Sequence, residues 1–269
     1  MAKTDTKHIK ALNALLKKAR SAWKGEEPPP LEPITQLVVG FLTWNATSKQ
    51  AEGAFDKIMS QVVDLNELRV SLNFEIVEMI GVRYPQAEER AIRLRESMHE
   101  VFEREHDWRM HSVKTKGKRE QREYLDTLPG IPPYVAAQVA LLCFGAHALP
   151  VDDKLAALLI AQGVAEDGAT PAEIESWLLR QIKAGDALDA HLALQHWADG
   201  KKMPAPKPAP KKKPTAKKAP VKKKAATKKP TAKKAPAKKK PAKKKTAKKT
   251  TKKKAAKKKP TRSKIAKKK

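Results

Sequence analysis

The densest set of chemically active groups in this 269-residue sequence is a run of lysine ammonium groups at its C-terminal end. Residues 201–269 hold 33 Lys and one Arg but no Asp or Glu, so this tail carries a charge of +34. Since the whole chain is +29, residues 1–200 contain 24 Lys and Arg against 29 Asp and Glu, a net charge of −5. Amines at this density neutralise phosphates and release their counterions. The tail therefore predicts a polyanionic partner, which points to nucleic acid.

A second group of basic side chains lies inside the acidic body, in the segment His-Ser-Val-Lys-Thr-Lys-Gly-Lys-Arg-Glu-Gln-Arg at 111–122. Its candidate phosphate ligands are Lys114, Lys116, Lys118 and Arg119. Two interpretations stay open. The segment is a solvated loop or helix entry, or it is a DNA-contacting patch beside the segment that follows it.

One carboxylate has a well-defined local setting. Asp152 stands in the sequence Pro-Val-Asp-Asp-Lys at 150–154, directly before an apolar helical pattern. This position is typical of a helix N-cap, whose side chain accepts a hydrogen bond from a backbone N–H group. We expect Asp152 to cap a helix that begins near Asp153.

Cofactor chemistry is restricted by the single cysteine, Cys143, in the apolar run Val-Ala-Leu-Leu-Cys-Phe at 139–144. Burial as a small hydrophobic residue is its expected role. One Cys excludes an intramolecular disulfide and a four-Cys zinc or iron–sulfur site, so we expect no metal and no cofactor. The sequence shows no apolar signal core at its start and no stretch of about 18 apolar residues. We therefore expect a soluble, intracellular protein without a membrane partner.

The elements that must position these groups are helices. Apolar residues recur at three- and four-residue spacings through 4–24, from Pro33 to about Trp44, and in a third helix with Thr47 or Ser48 as its N-cap. Further helical patterns lie near 64–70, 73–80, 85–104, 120–126, 133–144, 151–162, 171–182 and 187–197. No segment shows the period-2 alternation of apolar and polar residues that is typical of a β-strand. The sequence predicts an all-α body with roughly ten helices and short turns.

The tail lacks the apolar residues that a core needs, since its aliphatic residues larger than Ala are Met203, Val221 and Ile265. We expect it to be disordered when free. Its low-complexity Lys/Ala/Pro composition resembles the C-terminal tails of linker histones, which implies DNA compaction or retention. The predicted organisation is a basic N-terminal helix with a Pro-rich linker (1–29), a helical domain (30–200) and the tail (201–269).

The most specific stretch of the body runs from Leu125 to Lys154. It reads as a short helix, a Leu-Pro-Gly turn, a second helix ending in Phe-Gly, and an apolar stretch that leads into Val-Asp. This order and spacing resemble the helix-hairpin-helix DNA glycosylase superfamily, of which endonuclease III is the best-known branch. Further matching segments lie at 37–51, 80–87, 170–175 and 190–200. The resemblance implies a two-lobed helical fold over about residues 30–200.

In the resembling family the hairpin presents backbone N–H groups to a DNA phosphate, and glycines let the chain turn tightly and approach closely. The resemblance assigns this contact to Leu128, Gly130 and Ile131. Pro132 replaces the family's usual second glycine, Pro133 follows it, and neither can donate a backbone hydrogen bond. We therefore expect a weakened or rearranged hairpin contact, offset by the cationic tail.

The resemblance also implies roles for three further residues. Asp152 falls at the position of the family's carboxylate, which stabilises positive charge on the sugar of a flipped nucleotide or positions water. Tyr134 stands where members that also cut the backbone carry a Schiff-base lysine, and a phenol cannot form an imine. Tyr134 either shapes the pocket of a monofunctional enzyme or caps a site that has lost activity. Asn45 stands where the family commonly has a Gln, which fills the space that the flipped nucleotide leaves in the duplex.

Two classes of function remain open. We favour a monofunctional, cluster-free DNA glycosylase that hydrolyses the N-glycosidic bond of a damaged or mismatched base, while the tail holds it on double-stranded DNA. The alternative is a non-catalytic, chromatin-like DNA-binding protein that uses a degenerate glycosylase fold as a head for the tail. RNA is a further candidate partner, because lysine-rich tails do not distinguish polyanions. We expect a monomer in the cytoplasm, associated with the nucleoid, or in the nucleus of a eukaryote.

Overall fold

A computed structural model describes residues 3–25 and 27–204, so the predicted disorder of the tail falls on residues that lie largely outside this description. Within the described residues the chain forms twelve α-helices, one 3₁₀ turn and no β-strand, which confirms the predicted all-α class. The α-helices are α1 (Lys3–Ala22), α2 (Pro33–Thr43), α3 (Ser48–Gln61), α4 (Leu65–Val70), α5 (Asn73–Ile80), α6 (Ala87–Glu105), α7 (His111–Lys114), α8 (Lys118–Asp126), α9 (Pro133–Phe144), α10 (Asp153–Ala161), α11 (Pro171–Gln181) and α12 (Ala187–Asp199), with the 3₁₀ turn at Ala184–Asp186.

The centre of the fold is the packed pair α2 and α9. Both helices are apolar around most of their circumference, and most of their residues are buried. Gly40 allows a close approach, because a Cβ atom at this position would lie 3.0 Å from Val135 Cγ1. Across the same contact Thr43 Oγ1 donates a hydrogen bond to Gln138 Oε1 at 3.1 Å. The C-terminal end of α2 therefore lies beside the first half of α9.

Cys143 lies at the other end of this helix pair. It is half-buried, and its Sγ atom is 3.6 Å from the carbonyl oxygen of Leu31, just before α2 begins. The two helices are therefore antiparallel. Burial raises the pKa of the Cys143 thiol to about 12, so the thiol remains protonated at neutral pH.

The N-terminal helix belongs to the same core as the rest of the body. α1 packs along α12 and buries Leu12, Leu15 and Leu16. Arg20, near the end of α1, pairs with Asp189 near the start of α12. The predicted divisions of the chain at residues 29 and 200 stay predictions.

Local sequence explains where several helices begin and end. Thr47 caps α3 with a reciprocal capping box, in which its hydroxyl accepts from the N–H of Gln50 while the Gln50 side chain accepts from the N–H of Thr47. Asp64 caps α4 by accepting from the N–H of Glu67 at 2.9 Å. Gly145 ends α9 in the left-handed conformation, with φ of +58°, which glycine adopts at low cost.

The structure differs from the sequence prediction mainly around residues 111–122. The single turn α7 forms there because Val113 is buried. α8 begins at Lys118 rather than near residue 120, since the side chain of Glu120 accepts from the N–H of Gly117 and closes the first turn. No helix within the described ranges is long and apolar enough to cross a membrane.

Candidate functional site

Asp152 starts helix α10 and joins it to α2. Its Oδ1 atom accepts a hydrogen bond from the N–H of Leu155 at 2.7 Å, which makes Asp152 the N-cap of α10. Its Oδ2 atom accepts from the N–H of Asn45 at 2.8 Å. Both carboxylate oxygens are therefore fixed by backbone donors from two different elements. The residue is buried, with 7% of its surface exposed.

Opposing effects act on the protonation of this carboxyl. Burial raises the pKa of Asp152 above its ordinary value, because the charged form loses its hydration. The N–H groups of Leu155 and Asn45 and the charge of Lys154 work in the opposite direction. Burial is the largest of these effects, so Asp152 takes up a proton more readily than an exposed aspartate does.

Asn45 occupies a strained turn immediately after α2. Its φ is +54°, a left-handed conformation that Asn tolerates better than most residues. The Asn45 side-chain amide donates to Gln86 Oε1 at 3.0 Å and to Asp153 Oδ2 at 3.1 Å. Its Oδ1 atom accepts from the N–H of Lys154 at 3.3 Å. Asn45 therefore ties the turn before α6 and the first turn of α10 to the end of α2.

Tyr134 lies in the first turn of α9 with 3% of its surface exposed. Its hydroxyl donates to Gln195 Oε1 of α12 at 3.3 Å. Burial strongly raises the pKa of the phenol, and the negative charge of Asp152 adds to this effect. The structure thus brings Tyr134 and Asp152 into one buried region, with the phenol in its neutral form.

The hairpin between α8 and α9 is fastened to α6. Gly130 has φ of +76° and lies so close to α6 that a Cβ atom would be 2.9 Å from the carbonyl oxygen of Arg93. Ser97 Oγ of α6 donates to the carbonyl oxygen of Pro129 at 2.8 Å. Leu128 is buried, while Ile131 is half-buried and donates its N–H to Leu128 at 3.4 Å. The predicted Leu-Pro-Gly turn therefore exists, and it is in close contact with α6.

The surface beside this hairpin is mainly acidic. A depression of about 570 Å³ adjoins Gly130, and its charged lining residues are Glu88, Glu89, Arg93 and Glu96. The single cation among them pairs with an acid, since Arg93 Nη2 lies 2.7 Å from Glu89 Oε1. Negative charge beside the turn repels DNA phosphates. This surface adds to the weakening that Pro132 predicts.

Lys114 and Lys118 of the basic cluster lie at the other end of the hairpin helices, whereas Lys116 reaches Tyr124 in the last turn of α8. Lys118 Nζ donates to the carbonyl oxygen of Gly145, which follows the last residue of α9. Lys114 pairs with Glu32, and Lys116 Nζ lies 4.8 Å from the centre of the Tyr124 ring. Gly145 follows Tyr134 by eleven residues, about 16 Å at 1.5 Å per residue, so the Lys118 contact lies far from Tyr134. Among the described residues, no hydrogen bond or ion pair joins Lys114, Lys116, Lys118 or the exposed Arg119 to the Asp152 region.

Sequence reasoning missed two residues of this region. Gln86 has φ of +52° and hydrogen-bonds to Asn45. The only feature of the sequence that could have indicated this role is the position of Gln86 in the matching segment 80–87. Arg90 is a charged residue in a helical pattern, where solvent exposure is the usual expectation. It is instead fully buried, with 0% of its surface exposed.

The fold of this chain, with its hairpin between α8 and α9, is similar to the folds of several solved DNA glycosylases. An endonuclease III trapped as a covalent DNA intermediate matches with a TM-score of 0.55 and 15% identity, over 73% of this chain and 86% of that one. A thermostable thymine-DNA glycosylase matches with a TM-score of 0.52 and 17% identity, over 72% and 87%. The 8-oxoguanine glycosylase/lyase of Clostridium acetobutylicum, bound to DNA, matches with a TM-score of 0.56 and 16% identity, over 72% and 69%.

The likeness lies in structure rather than in sequence. Comparison of the sequence with protein-family models gave no match, and comparison with curated proteins gave none either. Identities of 15–17% to the solved structures show a shared fold. The fold predicted from the segment at 125–154 is confirmed, and the roles of individual residues stay predictions.

Proposed function

We propose that this chain is a DNA-binding protein of the base-excision-repair type, and that it acts as a monofunctional DNA glycosylase. The observation that carries the proposal is the buried Asp152 carboxylate, both of whose oxygens are held by backbone N–H groups. Its charge acts on the buried phenol of Tyr134 at the hairpin end of α9. The proteins with the same fold named above include glycosylases solved with DNA. We therefore take double-stranded DNA as the substrate.

The proposed reaction breaks the bond between a base and its sugar. Positive charge develops on the sugar as the base departs, and a fixed carboxylate stabilises that charge without having to reorganise. Asp152 suits this task because both of its oxygens are already held in place. Water then attacks the sugar, and the carboxylate orients it or accepts its proton.

Tyr134 supports hydrolysis over cleavage of the DNA backbone. A lyase needs an amine that forms an imine with the opened sugar, and a neutral phenol cannot do so. The buried hydroxyl of Tyr134 hydrogen-bonds to Gln195, which suits a wall of the pocket better than a nucleophile. We therefore propose that water, and no protein amine, completes the reaction.

Substrate entry requires a local opening. Asp152 and Tyr134 are 7% and 3% exposed, so an extruded nucleotide reaches them only when nearby groups move. The side chain of Asn45 is the group to displace, since it bridges Gln86 and Asp153 while its own backbone N–H binds the Asp152 carboxylate. Val82, on the loop that leads to Gln86, is 77% exposed and is available as an apolar wedge between bases.

The tail is proposed as a tether that acts on the same DNA. Its first residues follow α12, where Asp199 Oδ1 accepts a hydrogen bond from the N–H of Ser48 at 3.1 Å. Ser48 lies three residues after Asn45, so the chain leaves α12 close to the candidate site. Lysines that start here supply nonspecific affinity near the Asp152 region.

The decisive experiment measures base release. The purified full chain is incubated with duplexes that carry uracil, thymine opposite guanine, oxidised pyrimidines, adenine opposite oxidised guanine, or alkylated bases, and abasic sites are then cleaved with alkali. We expect release of at least one base, its loss in Asp152→Asn, and no adduct on borohydride treatment. The matched control is Asp64→Asn, which alters another helix-capping aspartate and should leave release unchanged.

A second candidate function rests on a separate observation. Pro132 lacks an N–H group, and three glutamates line the depression beside the hairpin turn, so this surface is poorly suited to hold a phosphate. A non-catalytic DNA-binding protein with a glycosylase fold fits these two features. Binding to intact duplex without release of any base would favour this architectural role.

A further inference from the structure

Arg90 is a buried cation that binds backbone carbonyls. Its Nη2 atom donates to the carbonyl oxygen of Trp44 at 2.7 Å and to that of Pro85 at 2.9 Å, and its Nε atom donates to Pro85 at 3.3 Å. Nη1 is buried and makes no hydrogen bond to any described residue. The salt bridges of the described part of the chain do not include Arg90 either.

Both carbonyls stand directly before left-handed residues. Trp44 precedes Asn45, with φ of +54°, and Pro85 precedes Gln86, with φ of +52°. The side chains of Asn45 and Gln86 hydrogen-bond to each other at 3.0 Å. One guanidinium therefore holds the two strained turns whose side-chain amides hydrogen-bond to each other.

The Trp44–Asn45 peptide group connects Arg90 to the carboxylate. The carbonyl oxygen of Trp44 and the N–H of Asn45 belong to one planar unit and point in opposite directions. Arg90 binds the oxygen at 2.7 Å, and Asp152 Oδ2 accepts from the N–H at 2.8 Å. A cation at the oxygen end and an anion at the N–H end both favour this orientation of the peptide dipole.

We propose that Arg90 is a positioning residue, which fixes the Asp152 carboxylate through the Trp44–Asn45 peptide. The proposal extends the proposed function, because it assigns a support to the same carboxylate. Arg90 does not touch the substrate in this role. It acts by setting the direction of the Asn45 N–H group, from which Asp152 accepts a hydrogen bond.

The surroundings of Arg90 suit a planar guanidinium rather than an ammonium. The Tyr84 and Trp44 rings lie 4.9 and 5.7 Å from the guanidinium carbon. Burial lowers the pKa of Arg90 to about 10, so the group remains a cation at neutral pH. A lysine supplies the charge, but it has no planar group to stack on these rings and no second nitrogen to replace the Nε contact with Pro85. Arg90→Lys is therefore the substitution that tests geometry while it keeps the charge.

The first test is amide hydrogen exchange in the full chain. If Arg90 orients the Trp44–Asn45 peptide, the Asn45 amide should exchange at least about tenfold faster in Arg90→Lys, after correction for global stability, because a charge-assisted hydrogen bond is lost. Arg69→Lys is the matched control, since Arg69 is also buried and lies over the ring of Phe102. Equal exchange at Asn45 in wild type and Arg90→Lys would overturn the proposal.

The second test uses the base-release reaction. We expect Arg90→Lys to lower kcat by roughly tenfold with little change in KM, because Asp152 is displaced while the DNA-contacting surface is kept. A change in KM alone would contradict the proposal. If the wild type releases no base, the proposed function fails, and the exchange measurement still decides whether Arg90 orients the peptide. Arg90→Met is a second variant, and Arg90→Lys alone carries both tests if the Met variant does not fold.

Discussion

The N–H of Asn45 donates to Asp152 Oδ2 at 2.8 Å, although 107 residues separate the two in the chain. The donor stands in a left-handed turn after α2, and the acceptor is the N-cap of α10. One buried carboxylate therefore closes a turn and begins a helix. The same contact holds the carboxylate in the orientation that the proposed glycosylase reaction uses.

We predict that His191 makes stability depend on pH. Burial lowers the pKa of His191 in α12 to about 4, from 6.5, so the folded protein keeps this residue neutral. The unfolded chain binds a proton below about 6.5, and stability is therefore lost as the pH falls from there towards about 4. Between about pH 7.5 and pH 5 the loss should be about 2 kcal/mol. Urea unfolding should show a smaller loss in His191→Met, and identical pH profiles would contradict this.

We predict that Gly130 tolerates a side chain much less well than Gly163. Both have positive φ, but a Cβ atom at Gly130 would lie 2.9 Å from Glu96 Oε2 and from the carbonyl oxygen of Arg93, whereas at Gly163 nothing lies within 4 Å. Gly163→Ala should cost about 1 kcal/mol of stability from backbone strain, and Gly130→Ala at least about 1 kcal/mol more from crowding. Denaturant unfolding of the two variants checks the difference. Equal losses would show that the hairpin moves freely away from α6.

We predict that acidic groups beside the hairpin weaken DNA binding. Glu96→Gln removes one negative charge next to Gly130, so affinity for a short duplex should rise a few-fold at low salt. Glu166→Gln is the control, since Glu166 lies beyond the C-terminal end of α10, away from Asp152. Fluorescence anisotropy gives both affinities. An equal gain in both variants would indicate a general charge effect rather than a local one.

We predict that the tail supplies most of the salt-dependent affinity. Removal of residues 205–269 deletes 31 Lys and one Arg and leaves a chain with a net charge of −3. DNA binding should weaken at low salt, and the slope of log affinity against log salt should fall sharply, because fewer counterions are released. Titrations at several salt concentrations measure this slope. An unchanged slope would reject the tail as the source of nonspecific affinity.

Much of the fold follows from local sequence. The periodic apolar residues of α2 and α9, the capping residue Thr47 and the terminating Gly145 each act within a few residues of the helix they define. Their effects are therefore visible in a single sequence. The structure confirms these helices with boundaries that differ from the predicted ones by at most two residues. The short turn α7 is the exception, because four residues are too few to show a periodic pattern.

The candidate site is less predictable because distant segments form it. The N-cap role of Asp152 follows from its own neighbours, whereas its second donor comes from Asn45, more than a hundred residues away. Nothing in the sequence marks Arg90 as buried, since its partners are backbone carbonyls that any residue type carries. The basic segment at 111–122 looks like a neighbour of the hairpin in the sequence. The antiparallel packing of α8 and α9 places Lys118 of this segment at the far end from the turn.

By itself, the sequence determined the charge of the tail, the helical class of the body and the order of the hairpin segment, because these depend on composition and on spacings within one element. The tertiary structure decided which side chains meet. The turn after α2 brings Asn45 to Asp152, Gln86 bonds to Asn45, and Arg90 binds the carbonyl of Trp44. The fold of α6 sets glutamates beside Gly130. Burial then fixes the pKa values and hydrogen bonds of these groups, because both depend on atoms that only the folded chain brings together.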